Sequence, residues 1–146
     1  MKTVAELLKS KSDQAVYTVA PDATVFDAVK LMAEKNIGAL LVINGETLDG
    51  IFTERDYARK IILAGRSSKE TPVRDIMSSP VMFVHPAQTN EECMVLMTEN
   101  HLRHLPVLAS GKLAGLVSIG DLVKDIISEQ QFIIEQLEHY ISGQRY

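Results

Sequence analysis

Tryptophan is absent from this 146-residue chain, and aromatic residues make up only 5% of it. A core must therefore be built from aliphatic side chains and six methionines. One cysteine, Cys93, excludes a disulfide framework within one chain. Positive charge is scarce: 15 Lys and Arg face 19 Asp and Glu, a formal net charge of −4. That leaves no basic field for nonspecific nucleic-acid binding, although a local basic pocket for phosphate stays open. Long apolar runs are missing as well. A run such as Ala39 to Ile43, which none exceeds in length, falls far short of the roughly 20 residues that cross a bilayer. Met1 to Lys9 lacks the apolar run of a secretion signal. These absences lead to the expectation of a cytoplasmic protein with neither nucleic acid nor membrane as partner. Hydrophobic residues reach 46%, enough for a packed globular protein rather than a disordered one.

What the chain does contain is an internal repeat. Shifted by 65 residues, it matches itself without gaps, with 14 identities over the 47 positions from 16 to 62. Val16-Tyr17-Thr18-Val19-Ala20-Pro21 falls on Val81-Met82-Phe83-Val84-His85-Pro86, Leu31-Met32 on Leu96-Met97, Gly50 on Gly115 and Asp56 on Asp121. Such a match reads as duplication.

Each repeat spells the same order of elements. Short strands are predicted over 16–19 and 81–84. Thr24 with Asp27, and Thr89 with Glu92, form the capping-box pattern of a helix start. Val25, Ala28, Val29 and Met32 follow at helical spacing. The compact apolar strand from Ala39 to Ile43 turns at Asn44-Gly45 into a strand through Gly50 to Phe52, and a helix is predicted from Glu54 to Ala64, ended by Gly65. Thr71-Pro72 looks like the N-cap and first position of a short helix, Val73 to Met77. The expected fold is α/β: two tandem β-α-β-β-α repeats, packed sheet to sheet with pseudo-twofold symmetry. The domain division expected is 1–65, a first repeat with an N-terminal helix; 66–128, a linker helix and second repeat; and 129–146, a C-terminal helical extension.

Gly50-Ile51-Phe52-Thr53-Glu54-Arg55-Asp56 and Gly115-Leu116-Val117-Ser118-Ile119-Gly120-Asp121 resemble the signature of CBS domains. Arg103-His104-Leu105-Pro106-Val107 resembles the second-strand segment of that family, and Val73 to Met77 its inter-repeat helix. The resemblance covers about residues 1–128 and implies a regulatory Bateman module. Such a module binds AMP, ADP, ATP, NAD or S-adenosylmethionine between its repeats and does not transform them. No nucleophile elbow, glycine-rich phosphate loop or paired carboxylates point to an enzyme.

The signature's chemistry agrees with such a role. Free amides and the positive end of a helix face one spot after Thr53, which suits a phosphate. The Thr53 hydroxyl adds a hydrogen bond, Asp56 can accept from both hydroxyls of a ribose, and Arg55 can reach a phosphate. Ser118 and Asp121 take the parts of Thr53 and Asp56 in the second repeat, where Gly120 replaces Arg55. The two sites are therefore expected to be unequal. The same Thr-x-x-Asp spacing is also an ordinary capping box, and the two roles are compatible. By resemblance, each site mixes repeats. Asp121 and Ser118 would face Val16, Tyr17, Ile37, Gly38 and Ala39, while Asp56 and Thr53 would face Val81, Met82, Leu102, Arg103 and His104. Arg103 is a candidate phosphate contact or a surface cation paired with a carboxylate. For His104 a structural hydrogen bond is the simpler role. Gly38 lets a base approach the backbone or merely turns the chain. Val16 and Val81 are equally readable as core.

Cys93 reads as a buried, inert thiol, since no histidine shares a metal-ligand spacing with it. Val123, Ile126, Ile127, Gln130, Ile133, Ile134, Leu137, Tyr140 and Ile141 recur at helical spacing. So long a stripe must be covered, either by a homodimer partner or by the chain's own body. The expected assembly is a homodimer acting on an unidentified protein partner. The alternative is a structural dimerisation module without a physiological ligand.

Overall fold

A computed structural model describes residues 2–11 and 15–142 of the chain. Its elements run α1 (Val4–Ser10), β1 (Thr18–Val19), α2 (Val25–Lys35), β2 (Ala39–Asn44), β3 (Thr47–Thr53), α3 (Glu54–Tyr57), α4 (Asn90–Asn100), β4 (His104–Ala109), β5 (Lys112–Ser118) and α5 (Ile119–Ile141). The middle of each repeat is duplicated in the backbone: α4, β4 and β5 have the bounds of α2, β2 and β3 displaced by the same 65 residues. The caps repeat too. Thr24 and Thr89 accept from the amides of Asp27 and Glu92, and Asn36 and His101 end the helices in the left-handed region at φ 55. Only half of each expected capping box forms at these two helices. Glu92 instead accepts from Gln88 Nε2 at 3.3 Å.

Several expected elements are shorter. The first strand is two residues, pairing parallel with β2 through Thr18–Leu41 and Val19–Val42. Its expected counterpart over 81–84 reduces to a bridge at Val84. The helix expected from Glu54 to Ala64 is α-helical only to Tyr57 and then widens into a π-turn, Ala58–Ile62. The linker helix is a 3₁₀ turn, Val73–Asp75, with Pro72 rather than Thr71 at its cap position and no side-chain cap. Thr71 is instead drawn into the backbone pairing described next.

The segments ahead of the repeats cross over. Val25 and Val73 donate their amides to Thr71 O and Ala23 O at 2.9 and 2.8 Å, so the inter-repeat linker pairs with the start of α2. In the same way Asn90 and Val4 donate to Lys2 O and Gln88 O at 3.0 and 2.7 Å, so the N-terminal segment pairs with the start of α4. By packing, one compact unit gathers Met1–Gln14, Val84–Leu105 and Leu116–Tyr146, and the other Ala15–Phe83 and Pro106–Gly115. Neither unit is a continuous stretch of chain.

Within the second of these units, β1, β2 and β3 form a sheet in that order, with β2 and β3 antiparallel. One face of the sheet presents Leu40, Val42 and Phe52 to Val25, Ala28 and Met32 of α2 and to Ile61, Val73 and Ile76. Ala39 and Leu41, alternating with them, are buried as well, so β2 has two buried faces and reads as a continuous apolar run. In the first unit, Val4, Leu7, Cys93, Met97 and Leu122 are buried on α1, α4 and α5. No helix among the described residues is long and apolar enough to cross a membrane.

Candidate functional site

The two signature segments sit at strand-to-helix junctions. Thr53 is extended (φ −120, ψ 163), so its side chain folds back over the first turn of α3. Its Oγ1 accepts from the Asp56 amide at 3.1 Å, while Asp56 Oδ2 accepts from the Thr53 amide at 3.0 Å and from its hydroxyl at 3.1 Å. The other oxygen, Oδ1, accepts from Ser78 Oγ at 3.0 Å and pairs with Lys60 Nζ at 3.0 Å. Lys60 also donates to Ile76 O at 3.0 Å. Asp56 is buried, 6% exposed, and a carboxylate there needs such partners.

The second junction has the same frame with fewer partners. Ser118 is extended (φ −108, ψ 163), its Oγ accepts from the Asp121 amide at 3.2 Å, and Asp121 Oδ2 accepts from the Ser118 amide at 2.8 Å. Lys11 Nζ pairs with the same Oδ2 at 3.1 Å and donates to Leu116 O at 2.9 Å. Among the described residues, Asp121 Oδ1 has no partner. The Asp121 side chain is 22% exposed.

The start of the preceding strand is tied to each junction. Gly38 O accepts from the Glu54 amide at 3.1 Å, and Arg103 O accepts from the Ile119 amide at 2.9 Å. The structure thus brings Gly38 to the Thr53–Asp56 junction and Arg103 to the Ser118–Asp121 junction through the backbone. Ile37 and Leu102 are half-buried and close the ends of α2 and α4 by bonding Met32 O and Met97 O at 3.0 and 2.9 Å. The Arg55 and Arg103 side chains are exposed, and neither pairs with a carboxylate among the described residues. His104 is half-buried and engaged. Val16, Tyr17 and Val81 are half-buried, Ala39 is buried, and Met82 is 38% exposed. Tyr17 carries Lys35 Nζ 5.4 Å from its ring centre. Ile37 also lines an open groove of about 470 Å³ with Met32, Glu54 and Tyr57.

Three residues at the junctions were not singled out by sequence. Lys60 stands one helical turn from Asp56, a spacing that could have flagged it. Ser78 and Lys11 carry no local signal, because they come from the crossing segments.

The model of the CBS domain matches the chain twice, over residues 4–63 and 73–128. The chain belongs to the CBS-domain family. It is similar to a structure of a protein with CBS domains from Burkholderia ambifaria MC40-6, 58% identical with a TM-score of 0.85, over 88% of this chain and 96% of that one. It is also 44% identical to the mitochondrial CBS domain-containing protein CBSX3 of Arabidopsis thaliana, over 97% of this chain and 72% of the relative. With the CBS domain-containing protein YhcV of Bacillus subtilis it shares 32% identity over 84% of this chain and 87% of the relative.

The CBS signature glycine gains a physical reason here. A Cβ on Gly50 would lie 2.6 Å from Met77 Sδ and 3.0 Å from Ser78 O. Ile51 and Ser78 exchange amide bonds at 3.1 and 2.9 Å. The glycine is what lets the inter-repeat linker lie flat on β3 and deliver Ser78 to Asp56.

Proposed function

We propose that this CBS pair is a regulatory module that binds an adenine nucleotide, such as AMP, ADP, ATP or NAD, and signals through the geometry of a homodimer to a protein partner. The duplicated junction carries the reading: at each copy a helix start, a hydroxyl and a carboxylate lie within one turn, a set suited to a sugar phosphate. The exposed Arg55 and Arg103 side chains supply donors for phosphate. A structure of CBSX2 in complex with AMP supports the ligand class; it is 26% identical with a TM-score of 0.74, over 89% of this chain and 99% of that one. The mixing of repeats in each site belongs to the same proposal, as does a cytoplasmic location.

The apolar side of α5 supports self-association. Ile127, Ile133, Ile134, Leu137, Tyr140 and Ile141 are each at least 47% exposed, an apolar stripe that calls for a cover. A hexameric CBS-CP12 protein from bloom-forming cyanobacteria, 33% identical with a TM-score of 0.74, shows that a related chain assembles. A ligand acts as a signal only by preferring one arrangement of the assembly.

A second reading, a structural dimerisation module without a physiological ligand, is favoured by the full set of internal partners on Asp56. Calorimetric titration of the full chain with AMP, ADP, ATP, NAD and S-adenosylmethionine separates the two. Saturable heat with at least one supports the sensor. No heat with any of the five would leave the structural module.

A further inference from the structure

The two junctions have equivalent backbones but unequal carboxylates. We infer that only the Ser118–Asp121 junction takes a ribose, with Lys11 as a positioning residue, so that each chain holds one nucleotide. The inference rests on the nucleotide reading above and narrows it.

At the first junction every acceptor direction of the carboxylate is used. Oδ2 holds the Thr53 amide and hydroxyl, and Oδ1 holds Ser78 Oγ and Lys60 Nζ, all at 3.0 to 3.1 Å. A ribose diol could enter only by expelling Ser78 and Lys60 from a carboxylate that is 6% exposed. Ser78 is held in place by its two amide bonds to Ile51. Lys60 is held by Ile76 O. Exchanging a satisfied, buried, charge-assisted set for a new one gains little. The chain's own hydroxyl and ammonium stand where the diol would have to sit.

At the second junction the same exchange is unnecessary. The Ser118 amide and Lys11 both converge on Oδ2, which leaves Oδ1 of the 22% exposed side chain with no partner among the described residues. The Ser118 hydroxyl accepts from Asp121 and, unlike Thr53, donates nothing back to the carboxylate. One free acceptor and one free donor therefore lie side by side. Gly120 leaves the first turn of α5 open: a Cβ there would meet only Ser118 Oγ, at 3.6 Å. Arg55 fills the matching place at the first junction. Lys11 also offsets the charge that Asp121 would otherwise set against an anionic ligand.

Calorimetry of the full chain with AMP tests this. The expected result is about one AMP per chain, with Asp121→Asn weakening binding by about thirtyfold, as loss of a charged acceptor does. Gly120→Val, which keeps the carboxylate and the cap, should also weaken it. Ser78→Ala should leave the affinity unchanged. Lys11→Met should weaken binding without lowering the melting temperature, and Lys11→Arg should restore it. Two AMP per chain, or full affinity in both Asp121→Asn and Gly120→Val, would overturn the one-site inference while leaving the nucleotide reading intact. Binding abolished by Ser78→Ala would place the ribose at the wrong junction and overturn it as well. Absence of binding by the unaltered chain for AMP, ADP, ATP, NAD and S-adenosylmethionine alike would instead overturn the nucleotide reading, and this inference with it.

Discussion

Asn90 Nδ2 donates to Asp125 Oδ2 at 2.9 Å and to Leu122 O at 3.1 Å, tying the first turn of α4 to α5. Both side chains are buried, and Lys2 Nζ meets the other carboxylate oxygen at 3.3 Å by charge rather than through an aligned hydrogen bond. The first repeat has Val25 and Lys60 at these places, so this polar tie belongs to the second repeat alone. Asn90→Ala strips the buried carboxylate of its amide. It should cost about 2–3 kcal/mol, measured as a lower urea midpoint at unchanged slope. A change under about 0.5 kcal/mol would mean that water or Lys2 replaces the amide.

Gly50→Ala should be destabilising although it adds one methyl group. The new Cβ would press on Met77 Sδ at 2.6 Å and on the Ser78 carbonyl. The sulfur can shift and the backbone cannot, so a loss of about 1–3 kcal/mol is expected. Gly65→Ala instead forces an unfavourable φ (+68) and meets nothing within 4 Å. It should cost less, about 1 kcal/mol. Parallel urea titrations give the order.

Phe52 is fully buried between α2, Ile61 and the linker. Phe52→Ala should lose about 3–5 kcal/mol, whereas Phe26→Ala, at 44% exposure, should change stability by less than about 1 kcal/mol. Thermal melts of the two variants check the ratio.

The proposed dimer places its seam on α5. Replacing Ile134 and Leu137 by Glu, both solvent-exposed in the single chain, should leave the fold intact by circular dichroism and halve the mass in light scattering. An unchanged mass would take this helix out of the interface.

Cys93 is fully buried, and its thiol is pushed above its ordinary value of 9.0, first by burial and then by Glu92. In the folded state it should react with a thiol reagent at pH 8 only through opening. The labelling rate should therefore rise with urea in step with unfolding. The sign for stability follows from the raised value. The contribution is fully present below pH 9.0, the unfolded value, and is lost as pH climbs toward the folded one, because the exposed thiol ionises first.

Much of this was legible in the sequence because it is local or periodic. The duplication announced that α4, β4 and β5 repeat α2, β2 and β3, although the strand expected over Gly50 to Phe52 is longer, Thr47–Thr53, and the Thr and Ser caps marked helix starts, since a cap bonds only three residues along. The pattern over 16–19 and 81–84 promises longer strands than the two-residue β1 and the bridge at Val84, because an apolar alternation does not say whether a neighbour is available to pair. The π-turn after Tyr57 has no sequence signal at all, as helical periodicity cannot distinguish one widened turn.

By itself, then, the sequence determined a twofold arrangement of strands, helix starts and acidic caps, all built from contacts a few residues apart. Only the tertiary structure decided which carboxylate is spoken for. Ser78 reaches Asp56 across 22 residues and Lys11 reaches Leu116, just ahead of the Asp121 junction, across 105, each carried there by a segment that pairs with a distant helix start. A carboxylate's remaining capacity for a ligand depends on every donor that packs around it, and donors delivered over such separations leave no periodic trace.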